Sequence, residues 1–144
     1  MLIDAGPRDQ RSVQGVADYG LIYCGEPLPE DLTIIGEVRV SLAVESDCLD
    51  TDFVAKLIDR HPDGRAMLLM DGVIRAIHRD PSDEPRHLAP NCVERLTIKG
   101  QLLPVAPASQ TERDAQRSIW LELDCVGRCL AQIREKAIDF VTRA

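Results

Sequence analysis

Residues 49–66, LDTDFVAKLIDRHPDGRA, contain the clearest β pattern of the chain. From residue 52 to residue 59, Phe53, Ala55 and Leu57 fall on one side of an extended chain. This period of two predicts a half-buried β-strand. The next four residues are His-Pro-Asp-Gly, in which proline presets φ, the aspartate side chain can bond its own backbone, and glycine accepts a positive φ. They predict a tight turn after the strand.

The flanking residues extend this β pattern on both sides. Residues 31–46 alternate apolar and polar side chains and predict a strand with one buried face, formed by Val38, Val40, Leu42 and Val44. Residues 67–70 and 73–79 flank Asp71-Gly72, a dipeptide typical of a hairpin turn. A proline-bearing loop over 80–91 precedes a last strand over 92–99. Short strands with regular turns predict an antiparallel β-sandwich over residues 20–100, preceded by a connector over 1–19.

A helical pattern is predicted for the tail, residues 101–144. Its apolar residues are spaced alternately by four and three, which places them on one stripe of a helix: Ile119, Leu123, Val126, Leu130, Ile133, Ala137 and Phe140. Ser109 and Glu112 match a capping box at the start of this helix, and Gly127 could kink it. We therefore expect a linker and an amphipathic helix, whose stripe packs on a sheet or pairs with a second copy of the chain.

Composition bounds the class of protein. The chain has 144 residues, of which 44% are hydrophobic and 28% charged, as in a single globular domain. The longest apolar run, residues 66–70, is too short to span a membrane, and no secretory signal is seen at the amino terminus. The formal charge of −7 repels phosphate backbones and anionic membranes, so we expect neither nucleic acid nor membrane as a partner.

Five cysteines stand at positions 24, 48, 92, 125 and 129. An odd number, irregular spacing and the lack of an export signal favour a reducing, cytoplasmic setting over a disulfide framework. Cys125 and Cys129 could touch a metal from one helix face, but two further ligands are not offered by any spacing motif. The favoured interpretation is therefore two small side chains beside a buried stripe, with no metal and no cofactor.

No catalytic constellation is predicted. None of the six serines sits in a Gly-x-Ser-x-Gly frame: Ser12, Ser41, Ser46, Ser82, Ser109 and Ser118. The three histidines, His61, His78 and His87, are interpreted as surface or turn residues. No glycine-rich phosphate loop or metalloprotease signature is present.

One acidic cluster offers two interpretations. Asp47, Asp50 and Asp52 carry oxygen ligands that could hold Ca²⁺, yet no glycine or closing glutamate follows at the spacing of a helix-loop-helix calcium site. Aspartates at such positions more often bond nearby backbone amides. We favour this structural role.

Four collinear motifs, in residues 5–99, resemble the C-terminal β domain of the X-Pro dipeptidyl-peptidase and cocaine-esterase family. They are AGPRDQR at 5–11, the segments around 23–28 and 35–38, the central stretch 49–66, and DGVIRA at 71–76. The resemblance implies a jelly-roll, galactose-binding-like sandwich that packs on an α/β-hydrolase domain and helps shape its active site. In that family the catalytic triad lies upstream of the connector, so no catalytic residue carries over to this chain.

The tail departs from the family pattern after Lys99. The Gly-His-Arg segment near a sheet edge is replaced, so the resemblance implies an incomplete sandwich with exposed edges. Two functions stay open at this point: an accessory domain for a serine hydrolase that cuts esters or X-Pro amides, or a free-standing sandwich that binds a partner or itself. A gene remnant without independent function is the third possibility.

Overall fold

The computed structural model describes Asp9 and residues 21–29, 34, 36–80, 84–102, 118–126 and 131–141. This part of the chain is built from antiparallel strands. Their bounds are β1 Leu21–Pro27, β2 Glu37–Ser46, β3 Asp52–Arg60, β4 Ala66–Arg75, β5 Val93–Gln101, β6 Ser118–Val126 and β7 Ala131–Val141, with a 3₁₀ turn over Ala76–His78.

The strands form two sheets. Sheet A has the order β1-β6-β3-β4, and sheet B has the order β5-β2-β7. Every pair of neighbours runs antiparallel. Buried residues from both sheets belong to one hydrophobic cluster, so the sheets pack around a shared core.

Alternation along β2 and β3 decides which face is buried. The three predicted valines and the leucine of β2 are at most 2% exposed, as are the three predicted residues of β3: Val38, Val40, Leu42, Val44, Phe53, Ala55 and Leu57. The predictions of these two strands and of their core faces are confirmed, and β5 confirms the predicted strand over 92–99.

The predicted turn after β3 is confirmed as the connection to β4. Gly64 has a φ of +92°, and its N–H donates to the carbonyl of His61 at 3.0 Å. The Asp63 carboxylate accepts the Arg65 N–H at 2.9 Å. Each residue type at this turn therefore serves the local role that its chemistry favours.

The predicted hairpin at Asp71-Gly72 is wrong, because β4 runs through both residues without a break. Gly72 pairs with Ala55 of β3. A Cβ on Gly72 would lie 2.8 Å from Ile98 Cγ2 and 2.9 Å from the Lys99 carbonyl oxygen on β5. The glycine is needed because β5 passes close over β4, and no turn is needed there.

The predicted helix over the tail is also wrong, because residues 118–126 and 131–141 are strands. Strand β6 lies between β1 and β3, and its alternate residues Ile119, Leu121, Leu123 and Cys125 belong to the core or pack against it. This period of two was present beside the helical spacing. Pairing on both sides stabilises the extended form, since tertiary contacts override local preference.

A bulge explains why β7 also matched a helical stripe. In the pairing with β2, Val44 lies opposite Ile133 and Leu42 lies opposite Lys136, so one extra residue is inserted in β7. The insertion places Ile133 and Phe140, which are seven residues apart, opposite Val44 and Val38 on the same side of β2, as two turns of a helix would also do. Ala137, opposite Ser41, does not share that side. Ser109, Glu112 and Gly127 lie outside the described residues.

The sandwich is less incomplete than the sequence predicted, because β6 and β7 add a strand to each sheet. The tail supplies a central strand of sheet A and an edge strand of sheet B. Because the stripe residues that are described belong to two strands in different sheets, they form no continuous helical surface for a second copy of the chain.

Candidate functional site

A buried acid–base pair lies where β3 enters the turn to β4. Asp59 is 2% exposed and His61 is 8% exposed, and Asp59 Oδ2 lies 3.2 Å from His61 Nε2. Polar groups that are this buried are normally hydrogen-bonded, and this pair satisfies the rule. The histidine is thus a turn residue, as expected, but its side chain is inside the protein.

The second nitrogen of the His61 ring is engaged as well. Nδ1 lies 3.4 Å from Arg65 Nη2, and the guanidinium can only donate, so Nδ1 accepts and Nε2–H donates to Asp59. Arg65 Nε also donates to Asp63 Oδ2 at 2.6 Å. The N–H and the guanidinium of Arg65 hold the pKa of Asp63 below its usual value. With both ring nitrogens bonded, His61 stabilises the turn and is not a free general base.

Asp9 connects the upstream chain to the same end of sheet A. Its carboxylate accepts the Ala66 N–H at 3.2 Å, and its backbone forms an antiparallel bridge with Met67. Asp9, the one residue of the connector motif that the structure describes, therefore lies against the start of β4.

Of the aspartates at positions 47, 50 and 52, Asp50 is hydrogen-bonded to the end of β4 and to the turn that follows it. Asp50 Oδ2 accepts Arg75 Nε at 2.7 Å, and Asp50 Oδ1 accepts the Ile77 N–H at 3.3 Å. Burial acts to raise the pKa of Asp50, but the bonds from Arg75 and Ile77 lower it below the ordinary 3.8 on balance. The carboxylate that was a candidate calcium ligand holds the end of β4, as a backbone-capping residue does.

We expect Asp50→Asn to remove an acid-dependent part of the stability. A carboxylate whose pKa is lowered by folding stabilises the protein above its unfolded pKa, and this contribution disappears as the pH falls through the folded pKa. The variant should unfold at lower urea than the parent at pH 7, by about 1 kcal/mol or less. It should match the parent once the pH lies well below the folded pKa of Asp50. Asp71→Asn, at an exposed position of β4, is the control. If the free energy of unfolding of Asp50→Asn stays below that of the parent at low pH, this role is contradicted.

The loop after β4 is organised by one arginine. Arg79 donates to the carbonyl oxygens of Ala76 at 3.0 Å and Arg86 at 2.6 Å, and to Glu94 Oε1 at 3.3 Å. Its side chain is 4% exposed. These bonds connect the loop to β5, so this arginine has a structural role.

The other candidates are dispersed. Cys125 Sγ lies 3.2 Å from Thr51 Oγ1, and Cys129 lies outside the described residues. His78 ends the 3₁₀ turn and His87 lies in the following loop. Ser41 and Ser46 lie on β2, Ser118 begins β6, and Ser12, Ser82 and Ser109 are not described. Among the described residues, no three side chains of the metal-ligating types gather as a ligand set.

Among the described residues, an open edge lies between β1 and β7. Leu21 and Tyr23 pair with Leu123 and Leu121, whose side chains are in the core, so all four face the same way. Yet Leu21 is 45% exposed. Lys136 of β7 lies over the Tyr23 ring, with its Nζ 3.2 Å from the ring centre. We call Leu21, Tyr23 and Lys136 the open edge.

Two of these features were not predicted from the sequence. The Asp59–His61 pair could have been found from the two-residue spacing at a strand end, because a charged residue that continues the inward face of a strand needs a partner. The contact between Lys136 and Tyr23 joins residues 113 positions apart in different sheets. No local sequence pattern predicts this contact.

Most of the chain matches a known protein family. Residues 10–105 match the model of the X-Pro dipeptidyl-peptidase C-terminal non-catalytic domain. The chain belongs to this family. The motifs that carried the resemblance lie mainly within the matched range, and the family is defined by a domain without catalytic residues.

Curated relatives of the non-catalytic domain are esterases. The chain is 43% identical to the cocaine esterase of Rhodococcus sp. strain MB1 Bresler over 82 residues. The aligned segment covers 57% of this chain and 14% of that protein. It is 34% identical over 87 residues to a putative serine esterase of Mycobacterium tuberculosis, covering 60% of the chain and 14% of the relative. The chain thus spans about one seventh of the length of these proteins.

Two solved structures share the fold of the non-catalytic domain. An aminopeptidase from a marine-sediment Thaumarchaeota archaeon matches with a TM-score of 0.63 and 23% identity, over 81% of this chain and 20% of that one. An α-amino acid ester hydrolase matches with a TM-score of 0.54 and 22% identity, over 87% of this chain and 26% of that one. In the described part of the chain, no helix has the length and apolarity needed to cross a bilayer.

Proposed function

We propose that this non-catalytic domain packs on an α/β-hydrolase catalytic domain and borders its active site, where esters or X-Pro amides are cut. The observation that carries the proposal is the family match over residues 10–105, together with 43% identity to a cocaine esterase. The relatives named above are esterases and an aminopeptidase, and the matched segment is a small share of each. Catalysis belongs to the remainder of such proteins.

The strand order supports a jelly roll as the finer description of the fold. Strand β3 pairs with β4, β2 pairs with β5 and β1 pairs with β6, so the chain folds as nested hairpins. The nested pairs alternate between sheet A and sheet B. Two sheets built in this way have the arrangement of a jelly roll. A sandwich of this kind is a rigid body that can present loops and edges to a neighbouring domain.

A reducing, cytoplasmic setting is part of the proposal. Cys24 and Cys92 are exposed free thiols. Exposed thiols persist best where disulfides are kept reduced.

The test is association in solution with a hydrolase domain. The catalytic part of the Rhodococcus cocaine esterase, without its matching C-terminal segment, is co-expressed with the tagged 144-residue chain. We expect the two to co-purify and the esterase part to melt at a higher temperature in the complex, since a partner that binds the native state stabilises it. If they elute separately at tens of micromolar and the melting temperature does not change, the proposal fails.

A further inference from the structure

Large apolar side chains that stay exposed are unevenly distributed over the described sandwich. Leu49 lies in the loop between β2 and β3, Val73 lies near the end of β4, and Val93 opens β5. All three are therefore at or next to the end that carries the loops over 47–51 and 76–92. Leu21 and Ile22 open β1, toward the middle of sheet A. Among the described residues at the opposite end, where the 61–65 turn lies, no leucine, isoleucine or valine is exposed.

Two loops at the first end form one continuous surface. The Leu88 N–H donates to the carbonyl oxygen of Leu49 at 2.7 Å, and the Asn91 N–H donates to the carbonyl oxygen of Ser46 at 2.8 Å. The second segment then enters β5, where Val93 joins the ladder with β2. The exposed apolar residues of the two segments, which we call the apolar loop surface, are Leu49, Ala89, Pro90 and Val93.

The backbone under the apolar loop surface is held in place by buried groups. Leu88 is buried in the core, and the buried Arg79 side chain donates to two carbonyl oxygens of the loop, at 3.0 and 2.6 Å. Asn91 has a φ of +58°, and the Cys92 N–H donates to the carbonyl oxygen of Ala89 at 3.1 Å, which forms the turn into β5. A surface that is ordered before binding loses little conformational entropy when a partner covers it.

The family indicates which partner covers this surface. In related proteins, the non-catalytic domain packs on an α/β-hydrolase catalytic domain. The segment that matches the cocaine esterase is 14% of that protein, so most of such a protein lies outside the matched segment. A domain taken without its neighbour exposes the apolar side chains that the neighbour covers. Leucine, valine, alanine and proline side chains fit an apolar patch, because burial of apolar area on both sides drives association.

We infer that the apolar loop surface is the part of this domain that contacts the catalytic domain, and that it meets an apolar patch there. The inference rests on the proposed function for the identity of the partner, and it adds the surface that binds this partner. The 61–65 turn lies at the other end of β3, roughly 30 Å away, and stays outside the contact.

The test measures the affinity of the esterase part for variants of the 144-residue chain by calorimetry. Leu49→Glu should weaken binding about tenfold, because the contact would bury an unpaired carboxylate. Leu49→Met keeps an apolar side chain and should bind like the parent. Pro62→Glu introduces the same charge in the 61–65 turn, and this matched control should change the affinity by no more than about twofold. Both positions are exposed, so the urea midpoints of the variants should stay close to that of the parent.

Hydrogen exchange gives a second measurement that needs no variant. The amides of Leu88, Asn91 and Cys92 are hydrogen-bonded in the two loops, and those of Gly64 and Arg65 are hydrogen-bonded in the turn. In the complex with the esterase part, exchange of the loop amides should slow, and exchange of the turn amides should keep the rate of the free chain. Slower exchange in the turn, with no change in the loops, overturns the inference.

Failure of this inference can be told from failure of the proposed function. If the esterase part binds the parent and Leu49→Glu equally well, or if Pro62→Glu weakens binding as much as Leu49→Glu does, the surface is overturned and the proposed function stands. If the parent does not bind the esterase part, the proposed function fails, and the inference fails with it. If the chain alone sediments as a dimer that Leu49→Glu dissociates and the esterase part does not, the surface serves a second copy, and the inference is overturned.

Discussion

Gly100→Val is expected to lower the free energy of unfolding by about 3 kcal/mol or more, a large share of the roughly 5–15 kcal/mol that stabilises a typical domain. Gly100 lies on β5, where a Cβ would meet the side chain of Met70 and lie 2.8 Å from the Asp71 carbonyl oxygen. Met70 is completely buried, so it has no room to move away. The cost is overpacking where the two sheets approach most closely.

The measurement is urea unfolding followed by the emission of Trp120. This is the only tryptophan, and it stands in β6 opposite Cys24 of β1 and Ile58 of β3, so its strand reports on the middle of sheet A. The parent should show one cooperative transition. Thr97→Val is the matched control, because it places the same side chain on β5 at a half-buried position on the opposite face. If Gly100→Val and Thr97→Val unfold at the same urea concentration, the close approach of β4 and β5 is refuted.

Asp59→Ala is expected to cost about 3 kcal/mol. The substitution leaves the buried His61 ring without the acceptor for its Nε2–H, and a buried polar group that loses its partner keeps the full cost of leaving water. The turn to β4 is held by the same ring, since His61 also contacts Arg65. We therefore expect a lower urea midpoint of unfolding and faster hydrogen exchange of the backbone amides in the turn.

Two further variants separate charge from shape in this pair. Asp59→Asn keeps an acceptor oxygen near Nε2 and should recover part of the lost stability. Asp71→Ala, at an exposed position of β4, should change the free energy of unfolding by no more than about 0.5 kcal/mol. Equal midpoints for Asp59→Ala and Asp71→Ala would show that the buried pair contributes nothing.

The strands that were predicted correctly are those whose evidence is local. Strands β2 and β3 have one face in the core and the other toward the surface over much of their length, so alternation identifies them. The turn over 61–65 was recognised because proline, aspartate and glycine each have a specific backbone role. The site was less predictable. Asp50 was found as a capping residue, but Asp59 and His61 were not recognised as a buried pair.

The errors share a physical cause. Asp71-Gly72 is compatible with a hairpin and with a close crossing of strands, and only the position of β5 distinguishes the two. The tail is compatible with a helical stripe and with two strands. For β6, sheet pairing on both sides outweighs helical spacing, and for β7 a bulge changes the period.

The sequence by itself determined the β character of residues 37–60, the turn that follows, the buried faces of β2 and β3, and the family. Each of these depends on side chains within a few positions of one another, or on motifs that keep their order along the chain. The tertiary structure alone decided that the tail forms β6 and β7, that Gly72 and Gly100 let β4 and β5 approach, and that Lys136 meets Tyr23. These features depend on residues distant in sequence, and their free energy exists only when the two sheets are packed together.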